Sequence, residues 1–129
     1  MNPGLKNEIS LVVSELLTAK AMGSGVLDVY ATPAMIALME QTAAESVEML
    51  LEEGCTTVGT KISVEHLAAT PVGMRVYCKS ELVAVEGRKL VFSVEVYDES
   101  GLIGKGDHER FIILSERFME KTNGKLKKS

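Results

Sequence analysis

Thr32-Pro33-Ala34-Met35-Ile36-Ala37-Leu38-Met39-Glu40, with its continuation to Gly54, decides the fold. It reads as one long helix. Thr32 suits the N-cap, where a side-chain oxygen accepts an orphan backbone N–H. Pro33 then takes the first helical position, where its missing N–H costs nothing, and Gly54 supplies a left-handed stop. About twenty residues at about 1.5 Å each give a rod roughly 30 Å long. Met35, Ile36, Leu38, Met39, Ala43, Val47, Leu50 and Leu51 spread apolar or small surface over more than half of its circumference. Glu45, Glu48, Glu52 and Glu53 take the remainder. So broad an apolar surface predicts a helix wrapped by a sheet rather than one lying at the protein surface.

On either side of the helix the period changes to two. Ile9, Leu11 and Val13 alternate within Glu8 to Ser14 and predict a first strand. Gly23-Ser24-Gly25, just ahead of the helix, suits a lid or an ordinary connecting loop. After Gly54, residues Val58, Thr60, Ile62, Val64 and His66 share one face of a strand. Pro71 and Gly73 punctuate the next connection. Met74 to Val85 forms a long strand, Glu86-Gly87-Arg88 a tight hairpin, and Lys89 to Asp98 the return with Leu90, Phe92, Val94 and Val96 on one face. A last strand runs from Leu102 to Ser115; Gly104 and Gly106 within it mark a bulge or a close backbone approach. From Glu116 onward the pattern predicts a fraying tail.

A strand, a long helix and four strands in a meander argue an α+β fold with an antiparallel sheet holding the helix. One curved sheet around one central helix is the hotdog architecture. It is expected as a single domain over residues 1–129, with 1–6 and 121–129 as flexible ends. The open edges of so small a sheet predict a homodimer or a higher homo-oligomer.

Composition bounds the function. The 129 residues suffice for one continuous core. A net charge of −4 argues against a nucleic-acid partner, and Lys121, Lys125, Lys127 and Lys128 read as a solvated tail. Cys55 and Cys78 have no CxxC spacing and read as free thiols of a reducing compartment. With two histidines and no ligand cluster, no metal site is expected. Met1 to Lys6 lack an apolar signal core, and no run approaches the ~20 apolar residues of a membrane span. A cytoplasmic domain without membrane contact is the expectation.

Glu40 is the oddly placed residue of the helix, with Ile36 and Ala37 one turn before it and Ala43 and Ala44 one turn after. Such a carboxylate is desolvated, partnered or snorkelling to water. His66 shares strand parity with Ile62 and Val64, so it points toward the helix. Thr32 lies within about 80° of the azimuth of Glu40 and about 12 Å along the axis from it. This spacing permits a Thr32, Glu40 and His66 triad without establishing one. His108, in Gly106-Asp107-His108-Glu109-Arg110, reads as structural or interfacial. Nucleophile elbow, P-loop and dinucleotide fingerprint are all missing from the sequence.

Ala31-Thr32, Met39-Glu40, the run Val64-Glu65-His66-Leu67-Ala68-Ala69-Thr70-Pro71-Val72-Gly73, Val85 to Arg88 and Gly106 to Arg110 resemble the fluoroacetyl-CoA thioesterase-like branch of the hotdog thioesterases. The likeness runs from about Leu5 to Glu120. It implies a dimeric hydrolase that cleaves an acyl-CoA thioester without metal or cofactor. By the same resemblance Thr32, Glu40 and His66 are catalytic, and Gly59 and Arg110 sit at the substrate site. Hydrolysis needs a nucleophile or activated water, a proton shuttle and donors aimed at the oxyanion, and these residue types supply them. The chain also departs from the branch. In the member of that branch specific for fluoroacetyl-CoA, phenylalanines ahead of the catalytic threonine are implicated in a lid that handles the fluorinated acyl group, and Ala21 to Val26 contain none. The expected substrate is therefore a short or medium acyl-CoA. A non-catalytic acyl-CoA-binding module is the alternative on the same fold. An enoyl-CoA hydratase fits less well, because its Asp and His stand a few residues apart on a loop, whereas Asp107 and His108 are adjacent on a strand.

Overall fold

The alternating segments resolve into five strands: β1 (Lys6–Val12), β2 (Cys55–His66), β3 (Arg75–Glu86), β4 (Lys89–Asp98) and β5 (Gly101–Leu114). The structure is a computed structural model and describes residues 1–127. All pairings are antiparallel, in the order β1-β3-β4-β5-β2. β3, β4 and β5 form the expected meander, but β2 does not lie beside β3. It pairs with β5 and becomes an edge strand. The crossing is held by hydrogen bonds from the connecting segment to three separate places. Leu67 donates its N–H to the Ile103 carbonyl, Thr70 accepts from the N–H of Tyr30, and Gly73 donates to Val13. Thr70 also donates its hydroxyl to buried Asp98 at 2.7 Å.

Between β1 and β2 lie a short helix α1 (Ala19–Met22) and the long helix α2 (Thr32–Glu48). Ala34, Met35, Leu38, Met39, Thr42, Ala43 and Val47 of α2 are buried. They pack on the apolar parity of the central strands, Val76, Cys78 and Leu82 of β3 and Leu90, Phe92, Val94 and Val96 of β4. The opposite face is polar. Glu8, Lys79, Glu95, Lys105 and Glu65 lie side by side across all five strands, alternating in charge. Opposite charges on neighbouring strands favour this register.

Three helix boundaries differ from the sequence expectation. Helix α2 ends at Glu48, with Met49 as its C-cap, and does not run on to Gly54. The Glu48 carboxylate accepts the Thr56 hydroxyl at 2.9 and 3.0 Å. Continuing would also have added Glu52 and Glu53 to the negative end of the helix dipole. Gly54 does adopt a positive φ of 86°, but in the turn into β2. The N-cap of α2 is Ala31, not Thr32, and Thr32 is the first helical residue. Finally, Ser115–Asn123 form a third helix, α3, where a fraying tail was expected. Residues 128 and 129 of the expected flexible end, with Lys128 of the basic tail, lie outside the described residues.

Candidate active site

The chain enters α2 along a fixed path. Tyr30 and Ala31 are buried, and the Ala31 N–H donates to the Leu17 carbonyl at 2.9 Å. With Ala31 in the capping position, the Thr32 hydroxyl is released from backbone duty. It pairs instead with Nδ1 of His66, the last residue of β2, at 2.8 Å. The other ring nitrogen, Nε2, is buried without a hydrogen-bond partner among the described residues. Burial pushes the His66 pKa below the ordinary 6.5, with the Ala68 backbone acting in the opposite direction. The imidazole is therefore neutral near pH 7 and able to accept a proton. Thr32 and His66 line a cleft of about 340 Å³ together with Ala19, Ser24, Val29 and Tyr30. The Gly23-Ser24-Gly25 segment borders this cleft. Just beyond it Val26 and Leu27 are 84% and 64% exposed.

A second cluster forms around Glu40. Its half-exposed carboxylate has Oε2 at 3.9 Å from Nη1 of Arg110. Arg110 is buried and firmly held: Nε donates to Thr57 Oγ1 at 2.8 Å, Nη2 to the Thr57 carbonyl at 3.0 Å, and Nη1 to His108 Nε2 at 3.3 Å. Burial lowers the Arg110 pKa while the charges of Glu40 and then Glu48 raise it. A guanidinium keeps its charge under such pressure. Gly59 lies opposite Arg110 on β2. A methyl group at 59 would stand 2.8 Å from Glu40 Oε2 and 3.3 Å from both Arg110 Nη1 and His108 Cε1. The strand is bare there because the carboxylate occupies the space.

One irregularity brings both clusters to the same side of the sheet. Gly59 and His66 are an odd number of residues apart, so an unbroken strand would turn them to opposite faces. A register shift between Gly59 and Lys61 leaves Thr60 unpaired as a bulge. Thr57 and Gly59 therefore join Ile62, Val64 and His66 toward α2. Val58 and Thr60, expected on the His66 face, are displaced from it.

Of the sequence-predicted residues, the structure joins Thr32 to His66, and Glu40 to Gly59 and Arg110. It does not join the two sets: among the described residues no hydrogen bond or ion pair links Glu40 to Thr32 or His66. They stand about 12 Å apart along α2. Two members of the second cluster were not singled out for it in the sequence. Thr57 holds Arg110, and His108, buried rather than interfacial, bonds to both Arg110 and the Lys61 carbonyl. The signal available for His108 was its spacing of two from Arg110, which puts both side chains on one strand face.

A long helix carried on such a sheet is the hotdog fold, and its neighbours among solved structures include thioesterases. The family model described as fluoroacetyl-CoA-specific thioesterase matches residues 13–116, and the chain belongs to that family. It is 42% identical over 98 residues to the fluoroacetyl-CoA thioesterase of Streptantibioticus cattleyicolor, an overlap of 76% of this chain and 70% of that protein. A solved structure of the fluoroacetyl-CoA thioesterase FlK superposes with a TM-score of 0.93 at 35% identity, covering 97% of each chain. A variant of FlK in complex with fluoroacetate and CoA superposes at 0.87, also at 35% identity, covering 92% of this chain and 99% of the other.

Proposed function

We propose that the chain is an acyl-CoA thioesterase that hydrolyses a short or medium acyl-CoA to the free acid and CoA, acting in the cytoplasm as a single hotdog domain in a homodimer. The observation that carries this reading is the Glu40 carboxylate standing half-exposed over bare Gly59, placed to attack or to deprotonate water. In the reaction the oxygen of water, or first that of Glu40, bonds to the thioester carbon. The C–S bond breaks and the CoA thiolate takes up a proton. His66 is the proton carrier, since burial keeps it neutral and basic at Nδ1 or Nε2; about 12 Å along α2 from the Glu40 of its own chain, it acts with the Glu40 that a second copy brings to the same thioester. Thr32 orients His66 through its hydroxyl. It also opens the first turn of α2, whose unbonded N–H groups and positive dipole end favour a developing oxyanion. Gly59 leaves room for the Glu40 carboxylate where it meets the acyl group, and Arg110 sets a positive charge beside it.

The acyl group is not expected to be fluoroacetyl, because Ala21 to Val26 offer no aromatic ring to the cleft at Thr32. Dimerisation is supported by β2, a 12-residue edge strand with one side of its backbone unpaired among the described residues. Gly59 and His66 both belong to it, so a second copy added there borders both clusters. The deciding experiment is CoA release across a panel of acyl-CoAs. Turnover that is lost in Glu40→Ala supports the reading; no turnover above background, or full activity in Glu40→Ala, overturns it. Sedimentation velocity tests the dimer, and a monomer at micromolar concentration refutes that part.

A further inference from the structure

His108 lies outside the three residues proposed to do the chemistry, yet it is 1% exposed and both its ring nitrogens are engaged. Its two partners fix its tautomer without ambiguity. A guanidinium only donates, so Nε2 must present a lone pair to Arg110 Nη1 at 3.3 Å. A carbonyl only accepts, so Nδ1 must carry the proton it gives to Lys61 at 2.8 Å. Both requirements name the same neutral imidazole. Lys61 is the first paired residue after the Thr60 bulge, and Arg110 Nη1 is the guanidinium nitrogen that stands 3.9 Å from Glu40 Oε2.

We infer that His108 is a positioning residue: its Nε2 lone pair sets the Arg110 guanidinium, and through it the Glu40 carboxylate, while its Nδ1–H pins the bulge that turns Gly59 inward. The inference rests on the reading of Glu40 as the reacting carboxylate. A protonated His108 would present N–H to N–H at Arg110 and lose the contact. The surroundings oppose that state. Burial lowers the His108 pKa, and the Arg110 charge adds to the effect; the Lys61 carbonyl, Glu40 and Glu109 act the other way. From β4 the neighbour is Phe92, which is uncharged, with ring centroids 6.2 Å apart.

Two substitutions separate the nitrogens. Asparagine at 108 places an amide where Nδ1 stands and can keep the Lys61 bond, but it reaches no further. Glutamine places its carbonyl oxygen where Nε2 stands and can accept from Arg110, but it gives up Lys61. Steady-state kinetics on the dimer, with thermal unfolding of each variant, are expected to show kcat about 10- to 100-fold lower in His108→Asn with KM little changed. His108→Gln is expected to retain most of kcat even where its melting temperature falls. A His108→Asn enzyme with native kcat, or a His108→Gln enzyme as impaired as His108→Asn, overturns the inference. If Glu40→Gln is inactive and His108→Asn is not, positioning alone has failed; if Glu40→Gln is fully active, the Glu40 reading itself has failed. Long-range ¹⁵N–¹H spectra of the wild-type protein give a readout independent of activity and of any variant's folding. They are expected to show His108 as the neutral Nδ1–H tautomer at pH 7, and an Nε2–H tautomer or an imidazolium overturns the inference.

Discussion

Replacing Gly59 with alanine should leave the fold intact and remove most of the activity. The new methyl would stand 2.8 Å from Glu40 Oε2, where ordinary contact begins at 3.4 Å. The carboxylate must therefore retreat by about 0.6 Å, on the scale of the ~0.5 Å tolerance that positioned catalytic groups observe. Arg110 and His108, both at 3.3 Å, need give only about 0.1 Å. A displacement near 1 Å costs about 100-fold in rate, so kcat should drop by about 10- to 100-fold, or roughly 1.4 to 2.7 kcal/mol of barrier. Stability should move the other way or not at all. Gly59 has no positive φ, so alanine adds no backbone strain. It narrows the unfolded ensemble, an effect of about 0.4 to 1 kcal/mol in favour of the fold. The atom it strikes is the far end of a flexible side chain, which can swing toward solvent. The assay pairs steady-state CoA release, followed with a thiol reagent, with thermal unfolding of the same preparation. Native kcat in a folded Gly59→Ala protein would refute the reasoning. So would a fall in melting temperature that accounts for the lost activity, since Gly59 would then serve the sheet rather than the site.

The remaining predictions concern the other cluster, the core and pH. Thr32→Ala should lower kcat strongly yet cost well under the ~1 kcal/mol of a lost N-cap, because Thr32 bonds His66 and not the helix backbone; a denaturant titration showing a full cap penalty would contradict this. Gly106→Ala should destabilise more than Gly104→Ala in chemical unfolding. At 106 a methyl meets the Ser63 carbonyl, which is backbone, whereas at 104 it meets the side chain of Met35, 2.5 Å away at Sδ; equal losses would count against rigid β2–β5 register. Both histidines are held below their ordinary pKa mainly by burial, so the unfolded chain binds more protons near pH 6.5. Their stabilisation is full above that value and is lost as pH falls toward the folded-state values. The melting temperature should fall on acidification below about pH 6.5, and less so in a His66→Asn, His108→Asn double variant; an unchanged slope in that variant would be decisive against the assignment.

The architecture was legible because hydrophobic period is a local property. Met35, Leu38, Met39, Ala43 and Val47 mark the buried face of α2 by spacing alone, and Leu90, Phe92, Val94 and Val96 mark that of β4. What the period does not carry is partner choice. β2 alternates as well as any strand, but its place at the edge beside β5 follows from hydrogen bonds made by the segment after it, to Ile103, Tyr30 and Val13. The cap was misplaced for a related reason. Thr32 and Ala31 can each precede a helix, and the hydroxyl pairs with an imidazole 34 residues away rather than with the nearest backbone N–H.

The site was legible as residue types and not as an assembly. Thr32, Glu40, His66, Gly59 and Arg110 all face one side of the sheet, yet simple alternation along β2 cannot place Gly59 and His66 there together. The Thr60 bulge does so, and its one local signal is Gly59, since a glycine inside a strand marks a bulge or a close backbone approach. Once formed, the bulge requires partners that restore its hydrogen bonds. Thr60 donates its hydroxyl to the Glu109 carbonyl at 3.2 Å, and the Lys61 carbonyl receives His108. The second histidine thus looked idle in the sequence because its function depends on a strand defect. That same defect turns a glycine inward, and the glycine makes room for the carboxylate of Glu40. Bulge, glycine, arginine and histidine form one unit, and a change at any of them reaches Glu40 through a contact already present in the folded chain.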